Sequence, residues 1–360
     1  MIRLFFNLVF LSPFSFCSGQ NNSLTDGPYV FYKDNYVLIR SIDNGNLKND
    51  SIAVKNKNTL LLSVAVPGQP GTFFSVPLKK TLEYETAEYK AADKLLVLSD
   101  IEGTFQGFNK LLLAGGVIDK QFNWIFGTGH LVICGDLFDR GEEVTACLWL
   151  LYKLEEEAKT KGGYVHVILG NHEIMNLSED IRYVHPKYLQ VATLMGITYM
   201  DLYNAGTELG HWLRTKNIME RIGDVLFLHG GVSQLVNQRG LSLKKMNNRV
   251  RPLYDKDGID SLLVEENVTT FFDAQTSPFW YRGYFMSPRA SMAQVDSTLR
   301  IYNVHRIVVG HTIVDSIQTL YNGKVIAIDV NHHIGNHQAL AIEKDSFYRM
   351  NLEGKKRKLD

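Results

Sequence analysis

Cysteine is scarce in this chain, which carries three in 360 residues. Cys17 lies in an apolar leader, leaving Cys134 and Cys147 on apolar segments, and two thiols make no disulfide framework. Both are expected as buried free thiols. An excess of charge is missing as well: 38 Lys and Arg balance 38 Asp and Glu, so no overall basic field gathers nucleic acid. One dense basic run, Lys355 to Lys358, reads as part of a solvated tail over 346–360. The apolar stretch Leu4 to Phe16 is too short to span a bilayer. With Arg3 before it and Ser18 and Gly19 ahead of Gln20, it reads as a secretory signal over 1–19. The mature chain is therefore expected to be exported, periplasmic or secreted, with no integral membrane span. A hydrophobic content of 45% is ample for a packed core.

Residues 20–93 show turn chemistry between short apolar runs. Tyr36 to Ile39 precedes Asp43-Asn44-Gly45-Asn46, and Leu60 to Val66 leads through Pro67-Gly68-Gln69-Pro70-Gly71 to Phe73 to Leu78. Hairpins of a small accessory β-module follow from that pattern, with a charged linker over 81–93. From Lys94 apolar strands alternate with amphipathic helices, the signature of an α/β layered domain, here over 94–345. Residues 180–215, with Tyr183, Tyr188, Tyr199 and Tyr203, break the alternation and read as a helical cap inserted after the third strand.

The ends of those strands carry the chemistry. Leu95 to Leu98 runs into Asp100 and Glu102; Val132 to Cys134 into Asp136, Asp139 and Arg140; Tyr164 to Leu169 into Asn171 and His172. Val225 to Leu228 ends at His229, and Arg306 to Val309 at His311. Open α/β sheets place ligands at the carboxyl ends of their strands. Oxygen donors mixed with imidazoles suit Mn²⁺, Fe or Zn²⁺ better than a thiolate site would. Converging carboxylates resist joint ionisation, which two divalent cations would relieve. A metal pair about 3.5–4 Å apart can share one carboxylate and one hydroxide and clamp a phosphoryl group.

In order, Asp100 to Gly103, Gly135 to Gly141, Gly170 to Glu173, and His229-Gly230-Gly231 match the motifs Asp-x-His-Gly, Gly-Asp-x-x-Asp-Arg-Gly, Gly-Asn-His-Glu and His-Gly-Gly. The series resembles the calcineurin-like metallophosphoesterases and, within them, the phosphoprotein-phosphatase superfamily. Gly310-His311-Thr312 and Trp280-Tyr281-Arg282-Gly283 are most similar to the bacterial Shewanella-like protein phosphatases. The resemblance implies a sandwich of two mixed β-sheets flanked by helices. It further implies that Asp136 bridges two metals, that Asp100 and Glu102 complete one site, and that Asn171, His229 and His311 complete the other. His172 would be the general acid oriented by Asp139, and Arg140 and Arg282 the phosphate clamps. Glu102 departs from the family's histidine; a glutamate can still ligate there and, as a harder donor, favours Mn²⁺ or Mg²⁺.

The implied activity is hydrolysis of phosphomonoesters by a metal-bridging hydroxide. The substrate would be a phosphorylated protein or small molecule, with phosphotyrosine a candidate. Two other readings stand beside it. One is a nucleotide or dinucleoside polyphosphate hydrolase, with Trp280, Tyr281 and Tyr284 available to stack a base. The other is a non-catalytic phosphoryl-binding module, should Glu102 disable one metal. Of the remaining histidines, His130 and His166 read as structural, His185 and His211 as polar cap residues, and His332 and His333 as neighbours of the site's edge.

Overall fold

The computed structural model describes residues 24–255 and 269–359; the expected leader and Cys17 lie outside them. Three strands after the N-terminal region, β7 (Lys94–Leu98), β8 (His130–Cys134) and β9 (Tyr164–Ile168), pair in parallel and in sequence order. They are apolar almost throughout because both faces are covered. With period two, Leu95, Val97, Val132, Cys134 and Ile168 face an apolar layer shared with Phe227, Val308 and Ile326 of a second sheet. Leu96, Leu98, Leu131, Ile133, Val165 and Val167 face the other way, into the core with α1 (Phe105–Ala114) and α2 (Val144–Thr160).

The first sheet has the order β17-β16-β15-β7-β8-β9, where β15 is Ala339–Glu343, β16 Ser346–Met350 and β17 Lys356–Lys358. The expected solvated tail therefore holds two strands at one margin of this sheet, β17 at its edge and β16 between β17 and β15. Phe347 and Met350 are buried against the core, and Lys356 forms an ion pair with Glu343 of β15. The second sheet has the order β13-β14-β12-β11-β10-β6, built from β13 (Gln318–Leu320), β14 (Val325–Ala327), β12 (Arg306–Val309), β11 (Val225–Leu228), β10 (Met219–Ile222) and β6 (Glu88–Tyr89). The expected linker 81–93 thus contributes β6, which pairs in parallel with β10. Two mixed sheets with helices outside them form the sandwich.

The N-terminal module is a three-stranded meander, β1 (Asp26–Lys33), β2 (Tyr36–Asp43) and β3 (Asn46–Ala53), beside the hairpin β4 (Leu61–Ala65) and β5 (Phe73–Pro77). Asn44 and Gly45 turn β2 into β3 with φ of 51° and 75°, the pair of left-handed residues that a tight two-residue hairpin needs. Tyr29, Val30, Val37, Phe74 and Val76 share the helix-side core, and Trp149 of α2 donates its indole N–H to the Pro28 carbonyl at 2.8 Å. The module shares its core with the sandwich. Cys134 and Cys147 are free and buried.

The cap is helical, with α4 (Pro186–Met195) and α5 (Glu208–Arg214). Tyr188 ties it to the start of α2, its hydroxyl accepting the Val144 N–H at 2.7 Å, and Tyr199 donates to Asn176 of α3 (Asn171–Leu177). Among the described residues, the second-sheet side carries α6 (Gln234–Arg239), α7 (Leu243–Val250) and α8 (Met292–Tyr302). No helix among the described residues is long and apolar enough to cross a membrane.

Candidate metal and phosphoryl site

Parallel pairing sends β7, β8 and β9 out of one sheet in the same direction, and β11, β12 and β14 out of the other. The loops beyond those ends meet. Asp100, Glu102, Asp136, Asp139, Arg140 and His311 all have positive φ, from 46° at Glu102 to 73° at Asp139. Non-glycine residues pay about 1–3 kcal/mol each for such a backbone and keep it only where surroundings impose it. Here backbone bonds between loops impose it: Asp100 N to Gly135 O at 3.0 Å, Glu102 N to Asp136 O at 2.9 Å, Gly141 N to Glu102 O at 3.0 Å. Gly170 is required by close approach, since a Cβ there would lie 2.2 Å from Asp136 Oδ1.

Asp136 is the hub. Its Oδ1 accepts the His172 N–H at 2.9 Å, and its Oδ2 lies 3.0 Å from His229 Nε2 and 3.7 Å from His172 Nε2. Burial alone would raise its carboxyl, but the His229 and His172 charges outweigh that and hold it well below the carboxylate range. Glu173 fixes the loop from beneath: Oε2 accepts the N–H groups of Asp136 and Gly170 at 2.9 and 2.6 Å, and Oε1 that of Leu137 at 2.6 Å.

On one side of Asp136 stand His229, His311 and Asn171. His229 donates Nδ1–H to the Cys134 carbonyl at 2.7 Å, aiming Nε2 at Asp136 and at Asn171 Oδ1, 3.0 Å away. Burial lowers this imidazole, yet Asp136 and Asp100 outweigh it and push it up to about 10, so Nε2 holds a proton that a cation would displace. His311 Nε2 sits 3.1 Å from the Trp280 carbonyl. A carbonyl only accepts, so the ring's proton is on Nε2 and Nδ1 carries the lone pair. Burial, followed by His229 and Arg282, pushes His311 down to about 2 and keeps it neutral. Ligand atoms of Asp136, His229 and His311 lie within 4.8 Å of one another.

On the other side, Glu102, Asp136 and His172 form a second such group. Glu102 forms an ion pair with Arg140, whose guanidinium lies 5.7 Å from the centre of the Tyr183 ring. His172 Nδ1 is 2.5 Å from Asp139 Oδ2. Burial lowers this imidazole, but Asp136 and the Asp139 hydrogen bond raise it above its ordinary value. Asn176 donates to Asp139 Oδ1 at 2.9 Å and to the His172 carbonyl at 2.8 Å, locking the dyad. Asp100 stands outside both groups, its Oδ2 accepting the His311 N–H at 3.1 Å. Arg282 donates to the His311 carbonyl at 2.7 Å and to Thr312 Oγ1 at 3.2 Å, half-buried on the site's rim.

All ten residues singled out in the sequence converge on this cleft. Four more belong with them. Asp329, just beyond β14, is buried, and its carboxyl is raised by burial; Asp329 in turn helps to raise Asp100. Glu173, Asn176 and Tyr183 are the others. The donor set fits divalent cations on its own chemistry: Asp100, Glu102, Asp136 and Asp329 are all buried, and burial penalises their shared negative charge. A cation held by them would offset that penalty. Of the expected base-stacking aromatics, Tyr281 and Tyr284 are buried in the core, leaving only Trp280 partly open.

Comparison with known proteins agrees with the fold. The calcineurin-like phosphoesterase family model matches residues 93–315. The cold-active protein-tyrosine phosphatase of a psychrophilic Shewanella species superposes with a TM-score of 0.85 at 36% identity, over 93% of this chain and 99% of that one. Shewanella-like protein phosphatase 2 of Arabidopsis thaliana is 26% identical over 312 residues, covering 73% of this chain and 78% of its own. Shewanella-like protein phosphatase 1 of Plasmodium berghei is 28% identical over 227 residues, covering 61% of each.

Proposed function

The chain belongs to the calcineurin-like phosphoesterases, and from that premise we propose that it is an exported, dinuclear phosphatase acting on phosphotyrosyl protein. It is a metal-dependent phosphoesterase. The observation that carries the finer reading is His172. A histidine gripped by Asp139 and Asn176, with Nε2 turned toward Asp136, is placed to give a proton to a leaving oxygen. A module that only bound phosphate would have no use for that arrangement.

In this reading Asp136 would serve two cations. Glu102, with Asp100 from just outside the close group, would hold one, and Asn171, His229 and His311 the other; the Glu102 oxygens would favour Mn²⁺ or Mg²⁺ over softer ions. When bound, such a pair acidifies water and offsets negative charge on the phosphoryl oxygens. Arg140 and Arg282 supply planar guanidinium forks for the same oxygens. Asp139 holds His172 Nδ1–H, so the proton transferred leaves from Nε2. Tyrosyl phosphate is favoured by the 36% identity to the Shewanella enzyme across nearly the whole chain. Burial of Tyr281 and Tyr284 weighs against stacking of a nucleotide base. Export rests on the leader-like run Leu4 to Phe16 and its flanks.

The test is phosphate release by Mn²⁺-loaded protein from a phosphotyrosyl peptide, a phosphoseryl peptide and diadenosine tetraphosphate. Hydrolysis of the phosphotyrosyl peptide with no cleavage of the dinucleotide is expected. Cleavage of the dinucleotide alone would replace the reading with the nucleotide one, and no hydrolysis of any substrate would leave a binding protein.

A further inference from the structure

Tyr183 is 47% exposed, whereas Tyr188, Tyr199 and Tyr203 of the same cap are buried. It stands at the mouth of the cleft. Its ring centre lies 5.4 Å from that of His172, at an interplanar angle of 54°, and the Arg140 guanidinium lies over its face. The position is fixed through the backbone: the Arg140 N–H donates to the Tyr183 carbonyl at 3.1 Å, tying the cap loop to the β8 loop. Whatever is attached to the leaving oxygen begins one covalent bond from the atom that His172 protonates. The exposed ring beside His172 is that of Tyr183. Trp280 lies on the other side, with its carbonyl against His311.

We propose that Tyr183 receives the aromatic ring of a phosphotyrosyl side chain and so sets the enzyme's preference for aryl over alkyl phosphomonoesters. The proposal deepens the function argued above and rests on it. An aromatic leaving group gains an offset or edge-to-face contact with the exposed ring, whereas a phosphoseryl side chain offers only a methylene and backbone there. Arg140, over the ring, holds the face in place by cation–π attraction, so the clamp for the phosphate and the wall for the ring are one assembly.

The experiment compares kcat/KM for a phosphotyrosyl and a phosphoseryl peptide of otherwise identical sequence, in wild type, Tyr183→Ala and Tyr183→Phe, all Mn²⁺-loaded. Loosening of Arg140 would depress both substrates alike, so the ratio isolates the ring contact. The phosphotyrosyl-to-phosphoseryl ratio should fall about 3- to 10-fold in Tyr183→Ala, as loss of one aromatic pair implies. It should return in Tyr183→Phe, which keeps the ring. Thermal unfolding of each variant checks that the fold survives, and if Tyr183→Ala does not fold, Tyr183→Leu takes its place as an apolar, non-aromatic filler. An unchanged ratio in a folded Ala or Leu variant of an active enzyme overturns the proposal and leaves the phosphatase reading intact. Absence of phosphotyrosyl hydrolysis in wild type overturns the reading on which it rests.

Discussion

The two halves of the cleft share Asp136 and differ in how their other ligands are held. In the His229 and His311 half, each imidazole has its far nitrogen against a backbone carbonyl, of Cys134 or Trp280, so the ligating nitrogen is aimed by the fold itself. In the Glu102 and His172 half, the side chains satisfy one another: Glu102 is paired with Arg140, and His172 with Asp139. The first half is preformed in orientation, and a cation entering it displaces the proton on His229 Nε2. On the proposed ligation, a cation entering the second would take Glu102 from Arg140, and the same exchange would free Arg140 for a phosphoryl oxygen. Cation loading and substrate readiness would then be coupled in that half.

Breaking the shared residue should have the largest effect. Asp136→Asn keeps the shape but removes the charge that both halves use, and it weakens the pull on His229 and His172. Activity should fall by more than about 100-fold, since loss of an outer partner alone costs about 10- to 100-fold. Steady-state kinetics with metal analysis checks this; two cations and near-normal turnover in the variant would remove Asp136 from its central place.

A smaller effect sharpens the contrast. Glu102→Gln keeps the size of the side chain and removes its charge, so one half has a weaker, neutral ligand while Asn171, His229 and His311 are untouched. The Mn²⁺ concentration giving half-maximal activity should rise about tenfold. Superimposable metal titrations for wild type and variant would mean that Glu102 only partners Arg140.

Much of this architecture was legible in the sequence because strands buried on both faces must be apolar runs, and the chain changes to polar residues where each run ends. Asp100, Asp136, Asn171, His229 and His311 all stand at such breaks. Asp329 stands at one too, but nothing in Val325 to Asn331 distinguishes it from a turn aspartate until β14 is placed beside β12. Asn176 carried a usable signal, lying one helical turn beyond His172, where i and i+4 share a face. Tyr183 carried none, since its approach to His172 depends on a cap loop folding back onto the Arg140 backbone. The C-terminal strands were hidden for a different reason: Lys355 to Lys358 looks like a solvated run, and only pairing with β16 makes it an edge. Lysines on an edge strand deter further pairing, so the same charges suit both readings.

The central claim is that this cleft holds two cations on which hydrolysis depends. Protein stripped with a chelator should be titrated with Mn²⁺ while bound metal per chain and phosphate release from a phosphotyrosyl peptide are measured on the same samples. Binding should saturate at two ions per chain, the preformed half filling first, with activity rising as the second ion enters. Saturation at one ion, or full activity in protein shown to be metal-free, would contradict it.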